Sequence, residues 1–110
     1  MITIEYAKNG KTYSDFEVEK IANEYCVIYS ETKKDTTYVV SNENIVDAMK
    51  LMVAEGKISN EHLQFKFGDE LISINNKGKI EKYPIGFCDY TTNILFKLFN
   101  LRKLNKDVNN

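Results

Sequence analysis

Residues 63–80 read LQFKFGDELISINNKGKI, and their alternation decides the expected fold. Leu63, Phe65 and Phe67 alternate with Gln64 and Lys66, the two-residue period of a half-buried strand. Gly68-Asp69 suits a type II′ turn, with glycine at the first central position. That turn sets Phe65 opposite Ile72 and Leu63 opposite Ile74. Asn76-Lys77-Gly78 suits a three-residue loop ending in a left-handed glycine, which sets Ile74 opposite Ile80. Two turns chosen independently thus place Leu63, Phe65, Phe67, Ile72, Ile74 and Ile80 on one face, and a one-residue slip at either would scatter them. The spacing predicts a three-stranded meander over about 62–83.

Upstream, Ile45, Ala48, Met49, Met52 and Val53 form an apolar helical stripe that Val46 and Leu51 widen, with Ser41 or Asn42 as cap and Gly56 as stop. A helix over about 43–55 follows. Thr36–Val40 and Cys26–Ser30 are rich in strand formers around the polar Lys33, Lys34 and Asp35, which predicts a hairpin. Ser14 and Glu17 form a capping-box pattern ahead of Val18, Ile21, Ala22 and Tyr25 at helical spacing, so a helix is expected over about 15–24. A longer strand through Phe16 and Val18 is the competing reading. At the start of the chain Ile2, Ile4 and Tyr6 alternate with Thr3, Glu5 and Ala7. Asn9-Gly10 is the strongest short hairpin signal, and it would pair Lys8 with Lys11 and Tyr6 with Tyr13.

Downstream, Pro84 ends the meander. Asp89 or Thr91 is positioned to cap a last helix whose apolar face holds Ile94, Leu95, Leu98, Phe99 and Leu101, with Lys97, Arg102 and Lys103 toward its C-terminal end. That helix is expected to cover the meander. Residues 105–110 read as a frayed polar tail. The pattern describes one α+β domain over 1–110, a largely antiparallel sheet packed with two or three helices.

Length and composition agree with a single domain. The chain has 110 residues, 43% hydrophobic and 28% charged, too apolar for disorder and too short for two cores. Its apolar runs fall far short of the roughly 20 residues of a membrane helix. The opening residues carry no signal-peptide pattern. Cys26 and Cys88 lack C-x-x-C spacing and read as reduced thiols, so a cytoplasmic protein is expected. Fourteen Lys against one Arg, with twelve Asn, fits an AT-rich coding background such as that of a mobile element.

Chemistry-bearing motifs are few. His62 is the single histidine, and with Cys26 or Cys88 and Asp89 it forms no recognisable nucleophile–base spacing. Cys26, His62 and Cys88 make no zinc pattern. No glycine pair resembles a phosphate-binding loop. Glu17/Glu19 and Asp69/Glu70 are not spaced as catalytic dyads. No catalytic residue, cofactor or metal is therefore expected. Seven Tyr and six Phe offer stacking surfaces for nucleic acid, but most fall at inward positions and arginine occurs once.

Charge separates along the chain. Residues 1–60 hold seven Lys and ten acids, net −3, whereas residues 61–110 hold eight basic residues and six acids, net +2. The acids gather on the first two predicted helices, as Asp15, Glu17, Glu19 and Glu24 on one and Glu43, Asp47 and Glu55 on the other. An acidic face steers a basic partner. Small acidic-leaning α+β chains without a motif share the general form of immunity proteins that neutralise toxins. The expectation is a protein-binding inhibitor of that kind, its acids occluding the active site of a basic toxin such as a nuclease. Asp15, Glu17, Glu19, Glu24, Glu43 and Asp47 are the expected contact residues, with exposed tyrosines as anchors. A phage or mobile-element inhibitor of host defence is the first alternative. A nucleic-acid-associated factor using the basic C-terminal region is the second.

Overall fold

A computed structural model describes residues 1–88 and 90–108. Its elements are β1 (Ile2–Lys11), α1 (Val18–Thr32), β2 (Thr36–Val40), α2 (Glu43–Ala54), a 3-10 turn (Asn60–His62), β3 (Leu63–Phe67), β4 (Glu70–Ile72) and α3 (Tyr90–Val108). The α+β class holds, but the sheet is not largely antiparallel. Its order is β2-β1-β3-β4, with β1 parallel to both neighbours and only β3–β4 antiparallel. Turn signals report pairing between strands adjacent in sequence. Parallel partners lie a helix apart and leave no such signal.

β1 is central. Ile4 stands between Tyr38 of β2 and Phe65 of β3, and Ile2, Ile4, Val40, Leu63 and Phe65 are buried on one face. Both α1 and α2 contribute to this core and pack against each other. The opposite face carries Thr3, Glu5, Gln64 and Lys66. There the Gln64 Nε2 donates to Thr3 Oγ1 at 3.0 Å and Lys66 pairs with Glu5 at 3.7 Å.

The expected Asn9-Gly10 hairpin is absent, because β1 runs on through these residues to Lys11. Its register against β2 shifts, so that Tyr6 and Lys11 both stand opposite Val40. A Cβ on Gly10 would come within 2.6 Å of the Val40 N and Cα. Glycine is needed here for backbone approach, a second use of the residue besides turning. The expected Tyr6–Tyr13 pair is accordingly not formed. Tyr6 meets Phe67 and Phe87, and Tyr13 meets Tyr25.

The hairpin expected at 26–40 is also replaced. α1 starts at Val18 and continues through the stretch expected as a strand, closing at Lys33 with a left-handed residue whose N–H donates to Tyr29 O at 2.8 Å. Val18, Ala22, Tyr25, Cys26 and Tyr29 are its buried stripe, so tertiary burial at 3.6 spacing outweighs the strand propensity of Cys-Val-Ile-Tyr. α2 lies where the spacing predicts, with Ile45, Val46, Ala48, Met49, Met52 and Val53 buried. Leu51 stays partly exposed.

The meander forms in part. Phe65 pairs with Ile72 across the Gly68-Asp69 turn, where Gly68 has φ +60, a conformation that strongly favours glycine. The next turn also forms, with Asn75 N–H donating to Lys79 O at 2.9 Å, and Ile74 and Ile80 are both buried. No third strand follows. The chain leaves β4 and delivers Phe87, fully buried, against Tyr6, Phe65, Phe67 and Tyr83. A groove of about 610 Å³ opens between β4 and residues 81–84.

α3 does not close the sheet as expected. Leu95, Phe96, Leu98, Phe99 and Leu101 are all exposed, and the molecule measures 61 × 28 × 25 Å. The helix is described to Val108, so it takes in most of the expected tail. The proposed cap Asp89, and Asn109 and Asn110, lie outside the described residues.

Two substitutions test this packing by urea unfolding. Gly10→Ala should lose about 1–3 kcal/mol through the clash with Val40, whereas Asn9→Ala, exposed on β1, should stay within about 0.5 kcal/mol of the parent. A type I′ hairpin would make both sensitive. Phe87→Ala should lose about 3–5 kcal/mol, a loss that a residue outside the core would not give.

Candidate functional site

β1 and β2 are parallel, so both end at the same edge of the sheet, and α1 and α2 both begin there. The sequence from Lys11 to Ser14 is stitched to Ser41–Asn44 across this edge. Ser41 N–H donates to Lys11 O at 3.0 Å, and the Thr12 and Ser41 hydroxyls lie 2.7 Å apart. The Asn42 and Asn44 side-chain amides donate to Tyr13 O at 2.9 and 2.8 Å. Asn44 Nδ2 also donates to Asp15 Oδ1 at 2.9 Å, and its own Oδ1 is a buried atom with no partner.

This bracing carries the tripeptide Asp15-Phe16-Glu17. Ser14 O accepts from Glu17 N and Val18 N at 3.2 and 3.1 Å, and Ser14 N–H donates to Glu17 Oε1 at 3.4 Å. The capping-box pattern is therefore half used. Its glutamate reaches back, while no side chain caps α1. Phe16 projects wholly into solvent, at 102% relative exposure. Burying such a side chain in a partner is worth about 1.5–3 kcal/mol, and its rim is acidic.

The expected acidic residues are partly brought together. Asp15 is tied to α2 through Asn44, and Glu17 and Glu19 open α1. Glu43 and Asp47 lie one turn apart at the start of α2. Carboxylates at two helix N-termini offset the positive ends of the helix dipoles. The Asp47 carboxyl is held above its ordinary value, chiefly by lost hydration, with Glu43 adding to the effect and Lys50 opposing it. Glu24 is about 10 Å further along α1 from Glu17. It lines a separate hollow with Lys11, Tyr13, Tyr25 and Tyr38.

The tyrosines nearest this edge are not exposed ones: Tyr13 and Tyr25 are buried. Tyr25 stacks on Tyr38 at 3.6 Å between centroids, and its hydroxyl bonds to that of Tyr13. Burial, reinforced by that bond, raises the Tyr25 phenol well above its usual value. Phe16, fully exposed, is the candidate contact residue that sequence reasoning missed. Its signal is an aromatic between two acids ahead of a helix, at a position outside the apolar stripe.

The histidine and the two cysteines weighed for chemistry have other surroundings. His62 sits in the 3-10 turn against Tyr29, at 5.4 Å between ring centroids. Cys26 and Cys88 are free thiols, and burial pushes the Cys26 thiol up. Among the described residues no three His, Cys, Asp or Glu side chains gather to hold a metal. Among them no helix is long and apolar enough to cross a membrane.

The raised Asp47 carboxyl has a consequence for stability. Its folded state favours the neutral form, so the ionised group opposes folding at neutral pH. Asp47→Asn should raise the melting midpoint slightly at pH 7. The gain should vanish as pH falls through the carboxylate range, where Asp47 is itself neutral. A gain that persists in acid would assign the effect to packing.

No protein-family model matches the chain, and no curated protein and no solved structure matches it.

Proposed function

We propose that the chain acts by binding another protein, as an immunity-type inhibitor that occludes the active site of a basic toxin, a nuclease being the best fit. The observation that carries this reading is Phe16, fully exposed on a braced loop between Asp15 and Glu17. A large apolar side chain in that position makes no contribution to the core. An aromatic anchor within a charged rim is the arrangement of an interface hot spot. Glu19, Glu43 and Asp47 extend the acidic rim, which favours encounter with a cationic surface over other partners. The working compartment in this reading is the cytoplasm of the cell that needs protection. An inhibitor of a host defence component would use the same surface against a different target.

One observation favours a second reading. Residues 90–106 carry three Lys and one Arg and no acid, which suits contact with nucleic acid backbone. Retention on a DNA matrix that falls steeply with salt, and that Arg102→Ala with Lys103→Ala abolishes, would support it.

Co-expression with the product of the adjacent gene tests the leading reading, scored by cell survival and by a co-purifying complex. The parent chain should protect and co-purify. Phe16→Ala should weaken the complex by about 30-fold, the scale of a 2 kcal/mol hot spot, at an unchanged melting midpoint. Glu17→Lys with Asp47→Lys should slow association and reduce its salt dependence. Variants that bind like the parent would remove this surface from consideration. Substrate turnover by the isolated chain would overturn the inhibitor reading.

A further inference from the structure

We propose that α3 is a dimerisation element, pairing antiparallel with α3 of a second copy of this chain. The helix stands apart from the core. It is 19 residues long, about 28 Å, and the molecule's long axis of 61 Å is more than twice either of the others. Leu95, Phe96, Leu98, Phe99 and Leu101, at 41–66% exposure, fall within seven consecutive residues. No other stretch of the described chain exposes so many large apolar side chains. Asn93, Lys97 and Asn100 recur at four- and three-residue spacing and form the polar stripe. The remaining positions from 94 to 101 are apolar, an arc of more than half the helix circumference.

This width and the charge select the occupant. A helix lying on a lipid surface needs its basic residues segregated from a narrower apolar face. Here Lys97, Arg102 and Lys103 point in three different directions around the helix axis. The open face of the sheet, with Thr3, Glu5, Gln64 and Lys66, exposes only Val39 and Leu71 as large apolar side chains, too few to complement the apolar arc of α3 within its own chain. A second α3 does, and it repeats the same surface about a two-fold axis, as isologous dimers require. Charge chooses the direction. Parallel pairing would stack Lys97, Arg102 and Lys103 on their own copies. Antiparallel pairing about Leu98 and Phe99 opposes the two helix dipoles favourably. It also carries the basic end of each helix toward the partner's body, where residues 1–89 hold eleven Lys against fifteen acids. The exposed apolar arc of α3 calls for a partner whether or not Phe16 binds a toxin, so the dimer does not rest on the inhibitor reading.

Sedimentation velocity on the full chain tests the proposal. The parent should sediment at twice 12.8 kDa at micromolar concentration. Leu98→Asp with Phe99→Asp should raise the dimer dissociation constant at least tenfold with unchanged core stability, since both side chains are exposed. Direction is read by disulfide trapping in a Cys88→Ser background, Cys26 being buried. Leu98→Cys should cross-link to its own copy. Leu95→Cys should not, because antiparallel pairing sets the two copies about 10 Å apart along the axis. Efficient trapping at Leu95 would overturn the antiparallel arrangement. A monomer up to millimolar concentration would overturn the dimer, as would a monomer whose α3 binds only to phosphatidylglycerol vesicles.

Discussion

Everything in this structure depends on β1 lying between two parallel strands that arrive later in the chain. Ile2 and Ile4 are the residues around which the core closes, with Tyr38 and Val40 brought in from one side and Leu63 and Phe65 from the other. Neither pairing is local. Each requires a helix to carry the chain back along the sheet, and the buried stripes of α1 and α2 exist because those crossovers must cover β1. The close approach of Gly10 to Val40 belongs to the same constraint. It lets β1 extend past its regular register and hand the chain over to the edge where both helices begin.

That edge is where the acids collect, and the topology explains why. Parallel strands put their C-terminal ends together, so two helix N-termini and their carboxylates converge there without any sequence proximity. Asp15 lies almost thirty residues from Asn44, yet the two are hydrogen bonded. A surface assembled from two crossovers gives the loop holding Phe16 a rigid base of backbone and amide contacts. The net charge of −1 conceals this arrangement, because a basic C-terminal helix offsets an acidic body.

What could be read from the sequence divides along the same line between local and non-local. The Phe65–Ile72 register was legible because one turn and one alternation specify it together. α2 was legible because its apolar stripe and Gly56 agree. The acidic positions on the first two helices were legible as charges, and their convergence was not. Asn9-Gly10 misled because the same glycine serves either a turn or a close backbone contact, and only Val40 distinguishes them. Cys26–Ser30 misled because its strand formers Val27 and Ile28 stay half exposed, while Cys26 and Tyr29 continue the buried stripe of α1. Phe87 lies in a stretch without periodicity, so nothing local announces it as core. The apolar face of α3 was visible, but its cover was sought within the chain. The third strand that would have given it one does not form.

The central position of β1 is tested most directly by NMR contacts across the sheet. The structure predicts nuclear Overhauser contacts from the Ile4 backbone to both Tyr38 and Phe65, with Thr3 to Tyr6 amides among the slowest to exchange. Cross-strand contacts between Tyr6 and Tyr13, with none from Ile4 to Tyr38, would mean that Asn9-Gly10 turns the chain after all. The parallel sheet and the edge built on it would then be wrong.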